Sequence, residues 1–441
     1  MGGGELARLS TIRAMSLPRC TATCATALAL TLLSPRAARA SSVDVGSFTK
    51  NSTTGNQTVS HNLGETPVAL VLWTDSQTNE SFTSTFQFGI GFTDGTNSRS
   101  GAGASEDNKS SGVTSRRLAN KALTIVDYSQ GTVAEADLSS WNSTGFTLNW
   151  TTNTASTGYV VHYLAIGGYE VSAKVFTWVL PVFTGNQSVT GVTFQPNLVL
   201  CFHAGPGFTS TPPNSSTHST LGLSAMDDAG NQWANAYMDA DSANPAATYR
   251  YQRTTKAIAI LSTSGTVAKE ASWVSMDSDG FTVNFSSTDF QASKAMCLAL
   301  KGVAAYPGSF NKSTAAATAT QTVTGVPFKP KAVLLASVQG VTSSSVGTVA
   351  RLGLGASNVS TNGASALQST GGGSKSSVDS IDKTSKAFVK VDNSTPAIDA
   401  EATVTGFNTD GFTLSWSTND SVATEVLYLA VVRKRRILVV E

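Results

Sequence analysis

Four histidines, scattered acids and two cysteines are the groups in this chain whose types could support chemistry. His61, His162, His203 and His218 are the only imidazoles. A metal centre takes its ligands at fixed, short spacings, and none of the four has such a neighbour. Serine is abundant, yet no Gly-x-Ser-x-Gly nucleophile elbow is present. The nearest string, Gly222-Leu223-Ser224-Ala225-Met226, belongs to a repeated strand. Glu135, Glu270 and Glu401 recur once per repeat, whereas glycosidase chemistry takes a facing carboxylate pair. These three are expected to point outward, or toward Lys121, Lys256 and Lys386. Asp277-Ser278-Asp279-Gly280, Asp410-Gly411 and Asp239-Ala240-Asp241 resemble pieces of calcium loops. They lack the distal Glu of an EF-hand, and Asp-Gly pairs make tight turns unaided. The expectation is a non-enzyme with no cofactor and no metal site.

Aromatic rings bind sugars by stacking, and Trp73, Trp233 and Tyr237 are the candidates for ligand binding, with Trp141 beside them. The competing role of each is loop anchoring or packing at a strand edge. Cys201 and Cys297 both fall on expected strands of one repeat. An oxidising compartment would permit a disulfide between them; two buried thiols are the alternative. The sister repeats carry Leu72 and Leu335 at the Cys201 position, and Tyr163 and Tyr428 at the Cys297 position.

The elements that must position these groups come in three copies. Gly145-Phe146-Thr147-Leu148-Asn149-Trp150 returns as Gly280-Phe281-Thr282-Val283-Asn284-Phe285 and as Gly411-Phe412-Thr413-Leu414-Ser415-Trp416. Large apolar residues fall on every second position, the period of a half-buried strand, and Thr, Asn and Ser are left for the other face. Earlier in each unit a proline opens a nearly continuous apolar run: Pro67 to Trp73, Pro196 to Phe202, Pro330 to Ala336. Such runs read as strands buried on both faces. No amphipathic helical period is visible. The expected fold is all-β: three tandem antiparallel β-sandwich, jelly-roll-like domains spanning 41–168, 169–302 and 303–441, in a rod or a compact cluster.

Composition narrows the function classes. Charged residues make up 13% of the 441, well below the usual quarter. Residues 1–40 read as a secretory signal peptide, with Arg13 and Arg19, an apolar run from Thr21 to Leu33 and the small-x-small site Ala38-Arg39-Ala40. That run is too short to span a bilayer, so a secreted protein without a transmembrane segment is expected. Without those residues the net charge is about −3, which offers nothing to nucleic acid. The basic tail from Arg433 to Arg436 could bind an anionic surface, and the apolar Ile437 to Val440 behind it could pair with a neighbour.

The ending of each unit, Gly-Phe-Thr-x-x-Trp followed by Tyr163-Leu164-Ala165 or Tyr428-Leu429-Ala430, resembles the H-type lectin domain. That resemblance implies a small antiparallel sandwich that binds sugars and assembles as trimers. It covers the ends of each unit only, and the sugar-binding residues of that family have no counterpart to map here. The units also look like β-rich repeats of phage virion and bacterial surface proteins. The expected function is adhesion or recognition, through a glycan or a cell-surface or matrix component. The alternative is a self-associating structural subunit of a virion, fibre or surface layer. A secreted hydrolase is the third reading, and would require a deep polar cleft.

Overall fold

The computed structural model describes Met1 and residues 43–207, 212–340, 345–392 and 395–434. The expected signal peptide and the tail beyond Lys434 lie outside the described residues. Residues 40–441 form one compact unit, and it is all-β, as the period-two patterns require.

The first repeat contains β1 (Val43–Thr49), β2 (Gly55–Ser60), β3 (Pro67–Thr74), β4 (Thr85–Thr93) and β5 (Ser98–Glu106). It continues with β6 (Thr114–Ala119), β7 (Leu123–Val126), β8 (Thr132–Trp141), β9 (Gly145–Asn153) and β10 (Val160–Gly167). Six of these strands form a large antiparallel sheet in the order β1-β10-β3-β4-β5-β6, and four form a small one in the order β2-β9-β8-β7. Repeats 2 and 3 have the same two sheets in the same order. The counterparts of β3 are Leu198–His203 and Ala332–Ser337. The repeats are joined through Gly168 and Gly302, both at positive φ (125° and 85°), where glycine turns without strain.

The apolar runs owe their continuity to two different cores. In β3, Leu70 and Leu72 face the small sheet of their own repeat, against Phe146, Leu148 and Trp150 of β9. Ala69, Val71 and Trp73 face the other way, into a core shared by all three repeats. Repeat 2 divides its run the same way: Val199 and Cys201 turn inward, while Leu198, Leu200 and Phe202 face the shared core. Repeat 3 does so with Val333 and Leu335 against Ala332, Leu334 and Ala336. The three large sheets thus meet back to back around one axis. Each buried large side chain contributes roughly 1.5–3 kcal/mol, so this shared core ties the repeats into one body and not a string of beads.

The edges close the ring in a cyclic pattern. The segment before β4 of each repeat lies on the last strand of another repeat's large sheet. Asn214–Thr217 of repeat 2 pairs with β6 of repeat 1. Gly347 of repeat 3 pairs with Arg250 of repeat 2, and Thr83 of repeat 1 with Ser380 of repeat 3. By strand register Ser216 stands where Thr83 and Gly347 do, and its partner Arg116 stands where Ser380 and Arg250 do, so the three seams are equivalent. An open sheet edge invites pairing with another chain, and here each repeat supplies the cover for another.

Candidate functional site

The three aromatic candidates lie inside these seams. Trp73 is fully buried and stacks on His162, with ring centroids 5.2 Å apart. Trp233 is fully buried, and its Nε1 donates to the carbonyl of Tyr428 in repeat 3 at 2.8 Å. Tyr237, also fully buried, meets Phe86 of repeat 1 edge to face at 5.6 Å. Sugar stacking needs an open ring face, and none of the three has one. This corrects their assignment from the sequence: they occupy the shared core and hold the repeats together. Trp141 is half-buried, and its ring lies where a side chain on Gly95 would stand.

The histidines are spent on structure as well. His162 Nε2 donates to Asp382 of repeat 3 at 2.7 Å, with both side chains buried. His203 Nε2 donates to the Ala259 carbonyl at 2.8 Å; burial pushes its pKa down to about 4. Nδ1 of His218 accepts the amide of Asp241, and Nδ1 of His61 accepts that of Leu63.

The acids follow suit. Glu270 and Glu401 face Lys256 and Lys386 at 3.7 and 3.1 Å. In repeat 1 the partners are exchanged: Glu135 pairs with Arg117 and Lys121 with Asp137, both at 2.8 Å. Asp279 accepts the amides of Gly191 and Thr193, and Asp277 the hydroxyls of Ser275 and Thr282, so both acids serve turns. Asp241 accepts the amide of Thr114 across the seam with repeat 1. Asp239 stands at the position of Ser105 and Ser369 in the other repeats, by strand register. It accepts the Ser105 hydroxyl at 2.7 Å, with the hydroxyls of Ser369 and Tyr237 beside it at longer range. Burial raises the Asp239 pKa to about 6. Among the described residues no group of three His, Cys, Asp or Glu side chains is arranged to hold a metal ion. Cys201 and Cys297 are directly paired across neighbouring strands and bonded to each other in the core of repeat 2.

What each repeat turns outward is the opposite face of its small sheet, the Thr, Asn and Ser of the alternating strands. In repeat 1, Asn56, Asn149 and Asp137 form one rung across three strands, and Thr58, Thr147 and Ser140 the next. Repeat 2 places Asn186, Asn284 and Ser272, then Ser188, Thr282 and Ser275, at the same points. Repeat 3 places Thr320, Ser415 and Thr403, then Thr322 and Thr413. Neighbouring hydroxyls touch in all three, at 3.0 Å for Thr58 and Thr147, 2.8 Å for Ser188 and Thr282, and 3.4 Å for Thr322 and Thr413. Sequence reasoning passed over this set because its residues carry no distinctive chemistry singly. The available signal was their recurrence at one parity in three copies.

Most of the exposed large apolar groups among the described residues belong to repeat 2, with Tyr169, Phe183 and Phe290 the most exposed aromatic rings. At its seam with repeat 3 a cleft of about 160 Å³ lies against Arg250, Gln252 and Glu425, smaller than the roughly 300 Å³ at which ligand pockets begin. No family model matches the chain, and no curated protein matches it, so the functional reading rests on this geometry.

Proposed function

We propose that the chain is a secreted, non-catalytic recognition protein that binds a glycan or another hydroxyl-rich cell-surface or matrix component through the outer faces of its small sheets. The observation that carries this reading is the threefold recurrence of polar rungs at the same positions, hydroxyls in all three repeats with amides added in repeats 1 and 2. Serine, threonine and asparagine each offer a donor and an acceptor, as does every sugar hydroxyl. Apart from Asp137, which pairs with Lys121, the rungs carry no charge, and this suits a neutral polysaccharide better than a charged polymer. One such hydrogen bond is worth about 1 kcal/mol net, so a single face binds weakly. Three faces on one rigid body raise the avidity for any polymer that reaches more than one of them. The test is a screen of residues 41–441 against glycans and insoluble polysaccharides, with Trp233→Phe as a control that leaves the outer faces intact. Selective binding retained by that control supports the reading; binding to nothing by a folded sample removes it.

A structural role is the second reading, and the exposed Phe183, Phe290 and Tyr169 favour it. Exposed aromatic rings concentrated on one repeat suit contact with a further protein subunit. This reading predicts concentration-dependent self-association that Phe183→Ser with Phe290→Ser abolishes.

A further inference from the structure

The ring has three equivalent seams but only two linkers. Repeats 1 and 2 are tied at Gly168 and repeats 2 and 3 at Gly302, whereas the seam between repeats 3 and 1 is held by side chains and backbone pairing alone. At its centre His162 of β10 donates to Asp382 of the Ser377–Lys383 strand, and Ser365 donates to the same carboxylate at 3.0 Å. Asp75, one residue beyond β3, is completely buried beside Asp382. Neither of its oxygens receives a hydrogen bond of ordinary geometry. Trp73 covers one face of the His162 ring. Gly363 lies against Nδ1, where an added Cβ would come within 2.4 Å. Two carboxylates side by side in such a place, one of them with only its own amide and that of Gln77 nearby, would be costly if both were ionised.

We propose that Asp75 and Asp382 share one proton and form, with His162, a clasp that closes the untethered seam. A protonated Asp75 supplies a donor between the two carboxyl groups, and the Asp382 carboxylate is the acceptor beside it. The pair then carries one negative charge, and His162 and Ser365 already donate to it. Burial first, and the Asp382 charge second, hold the Asp75 carboxyl well above the usual carboxylate range. Of the other charged groups of the seam, Asp107 accepts the amide of Val378, Asp379 accepts the side-chain amide of Gln368 while burial pushes its carboxyl up, and Lys109 pairs with Glu106 at 2.9 Å. Lys383 faces Glu80 at 3.5 Å, and Asp44 accepts Asn358 and Tyr163.

The sign of the pH effect follows. Opening the seam returns Asp75 to an ordinary carboxyl, which gives up its proton at lower pH than the closed clasp does. Closure is therefore strongest near pH 4 and weakens as pH rises, by about tenfold per pH unit until Asp75 ionises in the closed state. The loss of the proton to solvent leaves two charged carboxylates facing each other, and the seam opens.

Hydrogen exchange on the full chain between pH 4 and 9 tests this. Protection of β10 and of Ser377–Lys383 is read relative to the seam between repeats 2 and 3, which cancels the intrinsic pH dependence of exchange. The expected result is relative protection that falls with rising pH in the wild type. Asp75→Asn, which donates an amide hydrogen permanently, should keep the seam closed across the range. A flat wild-type profile, or an Asp75→Asn profile that falls like the wild type's, would overturn the proposal. If Asp75→Asn fails to fold, Asp382→Asn serves in its place. It removes the Asp382 charge, the second cause of the shift, and should weaken the pH dependence; an unchanged dependence counts against the clasp.

Discussion

Phe176 faces Cys297 across the first two strands of the second large sheet, where Gly46 faces Tyr163 in repeat 1 and Gly308 faces Tyr428 in repeat 3. The two partners have exchanged bulk. In repeats 1 and 3 the tyrosine ring fills the space above the glycine so closely that an added Cβ would come within 2.4 or 2.5 Å of it. In repeat 2 the aromatic ring comes from the edge strand, and the small cysteine opposite is free to bond Cys201. The disulfide is thus an alternative filling of one core position, present where the tyrosine is not.

Cys297→Tyr alone should therefore overpack repeat 2 at a cost of about 1–3 kcal/mol, beyond the roughly 2–5 kcal/mol lost with the disulfide. Combined with Phe176→Gly and Cys201→Leu, which recreate the trio of repeat 1, it should recover most of the overpacking loss, the disulfide being absent from both variants. Urea denaturation of the single and triple variants checks this, and a triple variant no better than the single would show that the positions are not interchangeable.

Trp233 was a ligand candidate by residue type, yet its ring fills the shared core and its Nε1 bonds across a seam. Trp233→Ala should cost about 3–5 kcal/mol. Trp233→Phe should lose mainly the hydrogen bond, about 1 kcal/mol plus the cost of an unmet Tyr428 carbonyl. Thermal unfolding distinguishes the two; equal, small effects would place Trp233 outside the core.

Asp239 and His203 give opposing pH dependences. Asp239, raised from 3.8 to about 6, contributes stability that is full below pH 3.8 and lost as pH rises through about 6. His203, lowered from 6.5 to about 4, contributes stability that is full above pH 6.5 and lost as pH falls through about 4. Each shift is worth about 3 kcal/mol, so the two nearly cancel between pH 4 and 6.5. Relative to wild type, Asp239→Asn should lose stability on acidification across this window, and His203→Gln should gain it. Urea midpoints at pH 4.5 and 7 measure the difference, and parallel curves for variants and wild type would refute both assignments.

The all-β class, the three repeats and the register of the core strands were legible because alternation and repetition are local signals. Leu72 with Tyr163, Cys201 with Cys297, and Leu335 with Tyr428 are true cross-strand pairs, as their alignment implied. The runs buried on both faces were legible too, but what covered the second face was not. Trp73 and Trp233 read as surface candidates because nothing local distinguishes a residue facing its own small sheet from one facing another repeat. The same limit hid the buried lysines. Lys50 and Lys312 follow the first strand of their repeats and sit over Trp150 and Trp416. Repeat 2 has Pro181 there, and Lys269 from a different strand brings its ammonium to the Pro181 carbonyl at 3.0 Å. Only the folded arrangement reveals that substitution.

The most direct test of the recognition reading charges the outer faces without touching the core. Thr58, Ser188 and Thr322 are exposed equivalents on the second strand of each repeat, and lysine there keeps the strand while covering the hydroxyl rung. Binding of residues 41–441 to whichever polysaccharide the screen selects should weaken stepwise with one, two and three substitutions, and vanish in the triple variant while its unfolding midpoint stays unchanged. Full-strength binding by the folded triple variant would contradict the account and move the site off these faces.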